Sequence, residues 1–400
     1  MLFRSKFNVT YRELNVINHG AASLKSDKSL LGRAEYAMHE WNGFVTGGFL
    51  YELGSGQEQK REYTYVQVPA GQGYYTWIDY NNDGIPQLNE FEVAVYQDQK
   101  TWIRIFTPTN QYVKANYLQF NYNIDLNPSA IIKTTVKNQL LKFLDRFSSS
   151  SALQINKKDI AANNSFEFNP FSKKLVDSSL ISLTSFLSNT LYFNRRSVKW
   201  GIDLTHRLNT NKALLNYGFE SNKLRDVTLK ARWNLNKAIA TALVNKYGLS
   251  QLITPAFANR NYTINEFSAQ PSVSYIYKSN FRVSLIYTYD KKENMISFME
   301  KAINNEIAAE LRYNVLSDGT LNGRFSFNNI SFDAGNGGSP NSTAGYILLD
   351  GLQPGKNYLW NLELTKRIAR SIELNLQYEG RKPGNAPTVH TGRASVRAIF

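Results

Sequence analysis

Ile372-Glu373-Leu374-Asn375-Leu376-Gln377-Tyr378-Glu379 is the stretch whose reading decides the fold. Successive side chains of an extended strand point to opposite faces. Ile372, Leu374, Leu376 and Tyr378 therefore share one face, and Glu373, Asn375, Gln377 and Glu379 the other. A helix would scatter the same residues around its circumference. Working outward, the pattern recurs in Tyr358, Trp360, Leu362 and Leu364, interrupted only by Leu359. It recurs again in Phe281, Val283, Leu285, Tyr287 and Tyr289 against Arg282, Ser284 and Thr288. A further case is Val227, Leu229, Ala231, Trp233 and Leu235 against Thr228, Lys230, Arg232 and Asn234. All of these segments predict strands, many of them longer than the roughly 5–6 residues usual in soluble sheets.

The connections alternate in length. Lys278-Ser279-Asn280, Ser317-Asp318-Gly319 and Arg367-Ile368-Ala369-Arg370 read as tight turns. Asp290 to Ile303, the Gly-rich Asp333 to Ser342, and Gly380 to Pro387 read as longer loops. Short turns at one end and long loops at the other are the arrangement of outer-membrane barrels. The expected fold is all-β: an antiparallel transmembrane β-barrel of medium to large size, open as to where it begins at the N-terminus. Roughly twelve strands are expected from Ile181 to Phe400 and about six before them. Residues 1–110 form a β-rich segment that carries a loop at 79–90 and could include early barrel strands; residues 111–400 form the barrel proper. Lys157 to Val176 breaks the pattern, and Ala130 to Phe147 also reads as a short amphipathic helix. The last strand, Gly392 to Phe400, sets Gly392, Ala394, Val396, Ala398 and Phe400 against Arg393, Ser395 and Arg397. A terminal Phe on such a strand resembles the β-signal read by the outer-membrane insertion machinery.

Composition agrees. Of 400 residues 42% are apolar and only 20% charged, with no cysteine, which excludes disulfide frameworks, thiolate metal sites and cysteine nucleophiles. The mean hydropathy is −0.40, and no stretch approaches the ~18 apolar residues of a membrane helix. Barrel strands average their two faces, so neither value argues against a barrel. Met1-Leu2-Phe3-Arg4-Ser5-Lys6 lacks the apolar core and cleavage site of a signal peptide. An exported barrel needs an address, so the chain is expected to be the C-terminal part of a longer precursor, or the product of a truncated reading of its gene. The net charge of +14 reads as Lys and Arg lining the interior and rims. No clustered basic module points to nucleic acid, and no such partner is expected. The expected partners are outer-membrane lipid, other envelope proteins, and the insertion machinery through the last strand.

One motif carries site chemistry. Asp79-Tyr80-Asn81-Asn82-Asp83-Gly84-Ile85-Pro86-Gln87-Leu88-Asn89-Glu90 has calcium-loop spacing, with Asp79, Asn81 and Asp83 at positions one, three and five, Gly84 at six and Glu90 at twelve. Calcium takes hard oxygen ligands, and the candidate set is Asp79, Asn81, Asp83, the carbonyl of Ile85, Gln87 and Glu90. Its role would be structural. Tyr63 to Val68 and Phe91 to Tyr96 read as strands, so the loop sits in a β context unlike an EF-hand; an ordinary Asn/Asp/Gly turn is the competing reading.

No catalytic set is visible, and no enzymatic activity is expected. His19, His39, His206 and His390 are scattered, with no metalloprotease, nucleophile-elbow, P-loop or dinucleotide pattern. His206 is read as lumen-facing on the polar side of its strand. Glu90 and Glu92 are read as a solvated face. Trp200, Trp233, Tyr289 and Trp360 are candidates for aromatic girdles at the membrane interfaces.

Gly71 to Tyr80 with Asn89-Glu90-Phe91-Glu92, and Leu352 to Asn357 with Tyr378 to Arg381 and Val396 to Phe400, resemble segments of large Bacteroidota outer-membrane and surface proteins. The resemblance implies a long extracytoplasmic portion ahead of a C-terminal barrel. It carries no activity and no functional residues. The leading reading is an outer-membrane barrel serving transport, secretion or envelope assembly, or anchoring a surface protein. The alternative is a soluble or cell-attached, calcium-stabilised β-rich adhesin or glycan-binding module. An outer-membrane hydrolase would need a catalytic signature that is not visible.

Overall fold

The computed structural model describes residues 4–15, 27–132, 138–161, 169–171, 180–215, 218–278, 280–315, 319–369 and 371–398. Its strands are β1 (Arg4–Leu14), β2 (Asp27–Glu40), β3 (Val45–Gln67), the short β4 (Tyr75–Trp77) and β5 (Phe91–Val93), β6 (Trp102–Leu126), β7 (Phe147–Ile160), β8 (Leu180–Phe193) and β9 (Trp200–Leu215). They continue as β10 (Gly218–Asn234), β11 (Ile239–Ile253), β12 (Tyr262–Tyr277), β13 (Phe281–Asn294), β14 (Lys301–Val315), β15 (Gly319–Asp333), β16 (Gly355–Ala369), β17 (Ile372–Pro383) and β18 (Val389–Ala398). Each long strand pairs antiparallel with the next, β3 pairing directly with β6, so that one meander runs from β1 to β18. Among the described residues no pairing joins β1 to β18. Two one-and-a-half-turn helices, α1 (Gln139–Leu144) and α2 (Thr343–Leu348), lie in connections. No helix among the described residues is long and apolar enough to cross a membrane.

The faces are inverted relative to a water-soluble sheet. The apolar side of the alternation lies outside: Leu285 is 61% exposed, Val273 and Ile307 53% each, and Val396 68%. The polar side is enclosed, with Asp226 at 2%, Lys292 at 8% and Asn328 at 5%. Enclosed polar groups need partners, and the inward-facing side chains supply them across neighbouring strands. Arg207 donates to Asp226 at 3.0 Å, Lys246 to Glu266 at 2.7 Å and Lys158 to Glu58 at 2.9 Å. Thr190 meets Thr205 at 3.1 Å, and Ser274 meets Ser284 at 2.8 Å. This arrangement is that of an antiparallel barrel with a lipid-type exterior and a wet lumen.

The strands β2, β8, β10, β12, β14, β16 and β18 close at one end, the turn end, which carries the connections 41–44, 194–199 and 235–238. The exception there is 127–146, where, among the described residues, the expected amphipathic helix is realised as α1. The opposite, loop end carries 68–101, 254–261, 295–300, 334–354 and 384–388. Trp200, Trp233, Tyr277, Phe281 and Tyr313 ring the outside at the turn end, Trp200 paired with Trp233 and Phe281 with both Tyr277 and Tyr313. That is one interface girdle; Tyr289 and Trp360 lie further along their strands.

Several expectations are corrected. Eleven strands run from β8 to β18 where roughly twelve were expected, and seven precede them, two of only three residues. The expected loop from Asp290 to Ile303 shrinks to 295–300, because pairing continues past the apolar band through Lys291, Lys292 and Glu293. The loop expected from Gly380 likewise begins only after Pro383. Position 110 falls inside β6, and β1 to β3 belong to the same sheet as the later strands. His206 pairs with Val227 and Asn189, and shares the outward face with Leu204. Its parity with Trp200, Ile202 and Leu204 places it outside, beside a polar chain from Tyr122 through Ser151 to Asn189. Ser279, Ser317, Asp318, Arg370, His19, Ala162 to Phe168 and Ser172 to Val176 of the segment that breaks the pattern, and Ile399 and Phe400 with the terminal part of the β-signal lie outside the described residues.

Among the described residues a conventional core lies at the loop end. Leu252, Tyr262, Ile264, Ala302 and Ile330 point inward there and pack under Ala344, Leu348, Leu349 and Leu352. Leu359, which interrupts the alternation of β16, packs against this cluster. It lies on the lumenal face because apolar cover is available above it.

Candidate functional site: a head folded into the loop end of the lumen

β3 and β6 outrun their neighbours. Their register shifts between Gln59 and Arg61, and such a bulge bends a strand and sharpens its twist. Beyond it, Arg61 to Gln67 pair with Trp102 to Pro108, and β4 and β5 extend the hairpin into a small head. Aromatic rings hold it together: Tyr65 stacks on Phe91 at 3.9 Å, and Trp102 meets Phe91 edge-on at 5.0 Å. The Arg104 guanidinium lies 5.3–5.5 Å from the rings of Tyr63, Tyr75 and Phe106, within cation–π range.

The head docks on elements far around the sheet. Arg260, in the turn before β12, reaches the Glu92 carboxylate at 3.4 Å and Glu220 of β10 at 3.7 Å. Glu92 also accepts from Thr343 of α2 at 2.9 Å and from Tyr80 at 3.1 Å. The Tyr346 hydroxyl accepts from the Val95 amide at 3.2 Å. On the far side Arg381 of β17 donates to Asp98 at 3.0 Å and lies 4.7 Å from the Tyr96 ring. A segment rooted in β3 and β6 can touch β10, the β12 turn, α2 and β17 together only because the sheet curls around it. Burial raises the Glu92 carboxyl above its ordinary range, opposed by the Arg260 charge. Burial, and then Glu92, push the Tyr80 phenol up as well.

The calcium-type loop lies on this head. Asn82 and Gly84 adopt left-handed φ of 59° and 73°, a conformation that Gly adopts freely and Asn tolerates. The curl brings Asp79, Asn81 and Asp83 together. Asp79 accepts from the amides of Asp83 at 3.2 Å and Gly84 at 2.8 Å. Asp83 accepts from the Ile85 amide at 2.7 Å and from the Gln87 side chain at 2.6 Å. Glu90 is turned away, its Oε2 accepting from the Trp77 indole at 2.9 Å and the Gln87 amide at 3.1 Å. Among the described residues no three acidic or histidine side chains converge as a metal-holding group. The set fits calcium in kind, being all oxygen, but Glu90 is displaced from it. Glu90 and Glu92 are 1% and 5% exposed, which overturns the solvated-face reading. The indole, hydroxyls and guanidinium that satisfy them come from outside the local alternation.

Sequence reasoning missed the docking pairs. Arg260 and Glu92 are 168 positions apart, and Arg381 and Asp98 283, with no local pattern to join them. A faint signal was the aromatic density around Tyr63 to Trp102.

The class these features define is an antiparallel, inside-out β-barrel with an inward-folded head. No protein-family model and no curated protein matches the chain. Solved structures of similar outline include two substituted variants of Rhodopseudomonas blastica porin and a structure titled "Asymmetric conductivity of engineered proteins". Each is 7% identical and covers 86% of this chain and 100% of its own, at TM-scores of 0.26–0.27. Overlap that loose carries no argument, and the reading rests on the sheet itself.

Proposed function

We propose that the chain forms an outer-membrane barrel whose lumen is a passage for small polar solutes, narrowed by the head. The observation that carries this is the head docked inside a polar lumen through Glu92–Arg260 and Asp98–Arg381. Such a constriction favours small solutes over the secretion of folded chains. The apolar outer band supports a lipid setting. In a bilayer, edges as long as β1 and β18 must be paired, with each other or with another strand, because unpaired backbone groups are costly in hydrocarbon. Replacing residues 70–100 by a short Gly-Ser turn is expected to raise single-channel conductance several-fold in planar bilayers. Absence of ion steps in both forms would leave an anchoring role as the better account.

We also propose that the loop takes calcium as a structural ion through Asp79, Asn81, Asp83, the Ile85 carbonyl, Gln87 and Glu90. Both hydrogen bonds to Glu90 use Oε2, which leaves Oε1 to turn toward the loop. Trp77, bonded to Glu90, is placed to sensitise terbium luminescence. Saturable luminescence is expected, displaced by calcium and abolished in Asp79→Asn/Asp83→Asn; its absence would leave an ordinary turn.

A further inference from the structure

Beneath the head, between it and the inner wall of β14 to β18, lies a cavity of ≈ 390 Å³, within the usual size of small-ligand sites. We infer that it binds a small organic cation, with Glu379 receiving an ammonium group. The inference deepens the passage reading by naming a solute class.

The charge balance points this way. Four carboxylates line the cavity, Asp98, Glu306, Asp350 and Glu379, against two guanidiniums, Arg324 and Arg381. Both guanidiniums are already occupied: Arg381 by Asp98 at 3.0 Å, and Arg324 by Glu306 at 2.7 Å and by Glu310. Asp350 is held by Lys292 at 2.6 Å, which Asp290 also reaches at 3.5 Å. Glu379 has no basic partner among the described residues. An anionic recess in a chain of net charge +14 is not a consequence of composition.

Unspent hydrogen-bonding groups point to the same ligand. Asn361, Glu379 and Thr391 stand side by side in register across β16, β17 and β18. None of the three side chains has a hydrogen-bond or ion-pair partner among the described residues. Opposite them the Asn304 amide donates to Asn328 at 2.9 Å, while its Oδ1 is buried with no partner. Buried acceptors left unmade are costly. A carboxylate, two amide oxygens and a hydroxyl are acceptors, and an ammonium supplies three donors with the matching charge. An anionic solute would meet Glu379 uncompensated, and a neutral polyol would leave its charge unanswered.

The test is calorimetric titration of the detergent-refolded chain with 1,5-diaminopentane, with glutarate and glucose as comparisons. Saturable binding of the diamine is expected, weakened at least tenfold in Glu379→Gln and measurably in Thr391→Val. Both variants should keep a heat-modifiable gel shift. No diamine binding, equal binding of glutarate or glucose, or an unchanged affinity in folded Glu379→Gln would overturn the inference. Binding in detergent needs no ion flow, so a chain that binds the amine but passes no current would sink the passage and leave this site standing.

Discussion

Ile307→Arg is expected to destabilise the lipid-embedded barrel by about 2–4 kcal/mol, the cost of a basic residue at the bilayer midplane on a barrel's outer face. Ile307 sits at the middle of β14, pairs with Tyr287 and Phe327, and is 53% exposed. For a protein in water, such a substitution at an exposed site usually changes stability by no more than about 0.5 kcal/mol. The two environments therefore predict effects several-fold apart. Urea unfolding in lipid vesicles, followed by tryptophan fluorescence, reads the difference. The same substitution near the turn end, at Tyr277, should cost about 0–1 kcal/mol, since the penalty falls away toward the interface. Equal, small effects at both positions would mean that the outer face does not meet hydrocarbon.

Arg260→Met is expected to release the head. Arg260 and Glu92 have side chains 7% and 6% exposed, and removing one partner of a buried pair typically costs about 3–5 kcal/mol because the other charge is stranded. Thr343 and Tyr80 still donate to Glu92, but neither neutralises it. The pH dependence follows from the raised Glu92 carboxyl. The docked head holds this proton more tightly than the released one, so docking is strongest at acid pH. It weakens as pH rises from the ordinary carboxylate value of 4.5 through the raised one. Loss of Arg260 removes the opposing charge, lifts that value further and widens the window. Tryptic cleavage after Lys100 in membrane vesicles should therefore be slow for the parent chain at neutral pH. It should be fast for Arg260→Met at neutral pH and slowed again by acid. A variant cut at the parent's rate across the range would show that the pair does not hold the head.

The contrast between strands and head shows what a single sequence can carry. Ile372 to Glu379 announces its strand because the period of two is local, and the outward apolar face of β10 and β13 is legible for the same reason. Polar residues at the loop-end tips defeat the reading: Lys291 to Asn294 look like loop and are paired strand, because hydrogen bonding outlasts the apolar band. Leu359 looks like an interruption until the cluster beneath α2 gives it a place. The head was invisible as a unit, since its anchors Arg260, Thr343 and Arg381 come from distant elements. The loop from Asp79 to Glu90 was legible as a turn rich in oxygen ligands. The diversion of Glu90 to Trp77 was not, because nothing in the spacing records which carboxylate an indole will take.

The most direct test of the barrel is partition of the native gene product into carbonate-washed outer membranes, read with heat-modifiable gel mobility. Retention in the washed membrane together with a heat-dependent shift is the predicted result. Release into the soluble fraction with no shift would contradict the account and leave a β-rich, water-soluble binding protein in its place.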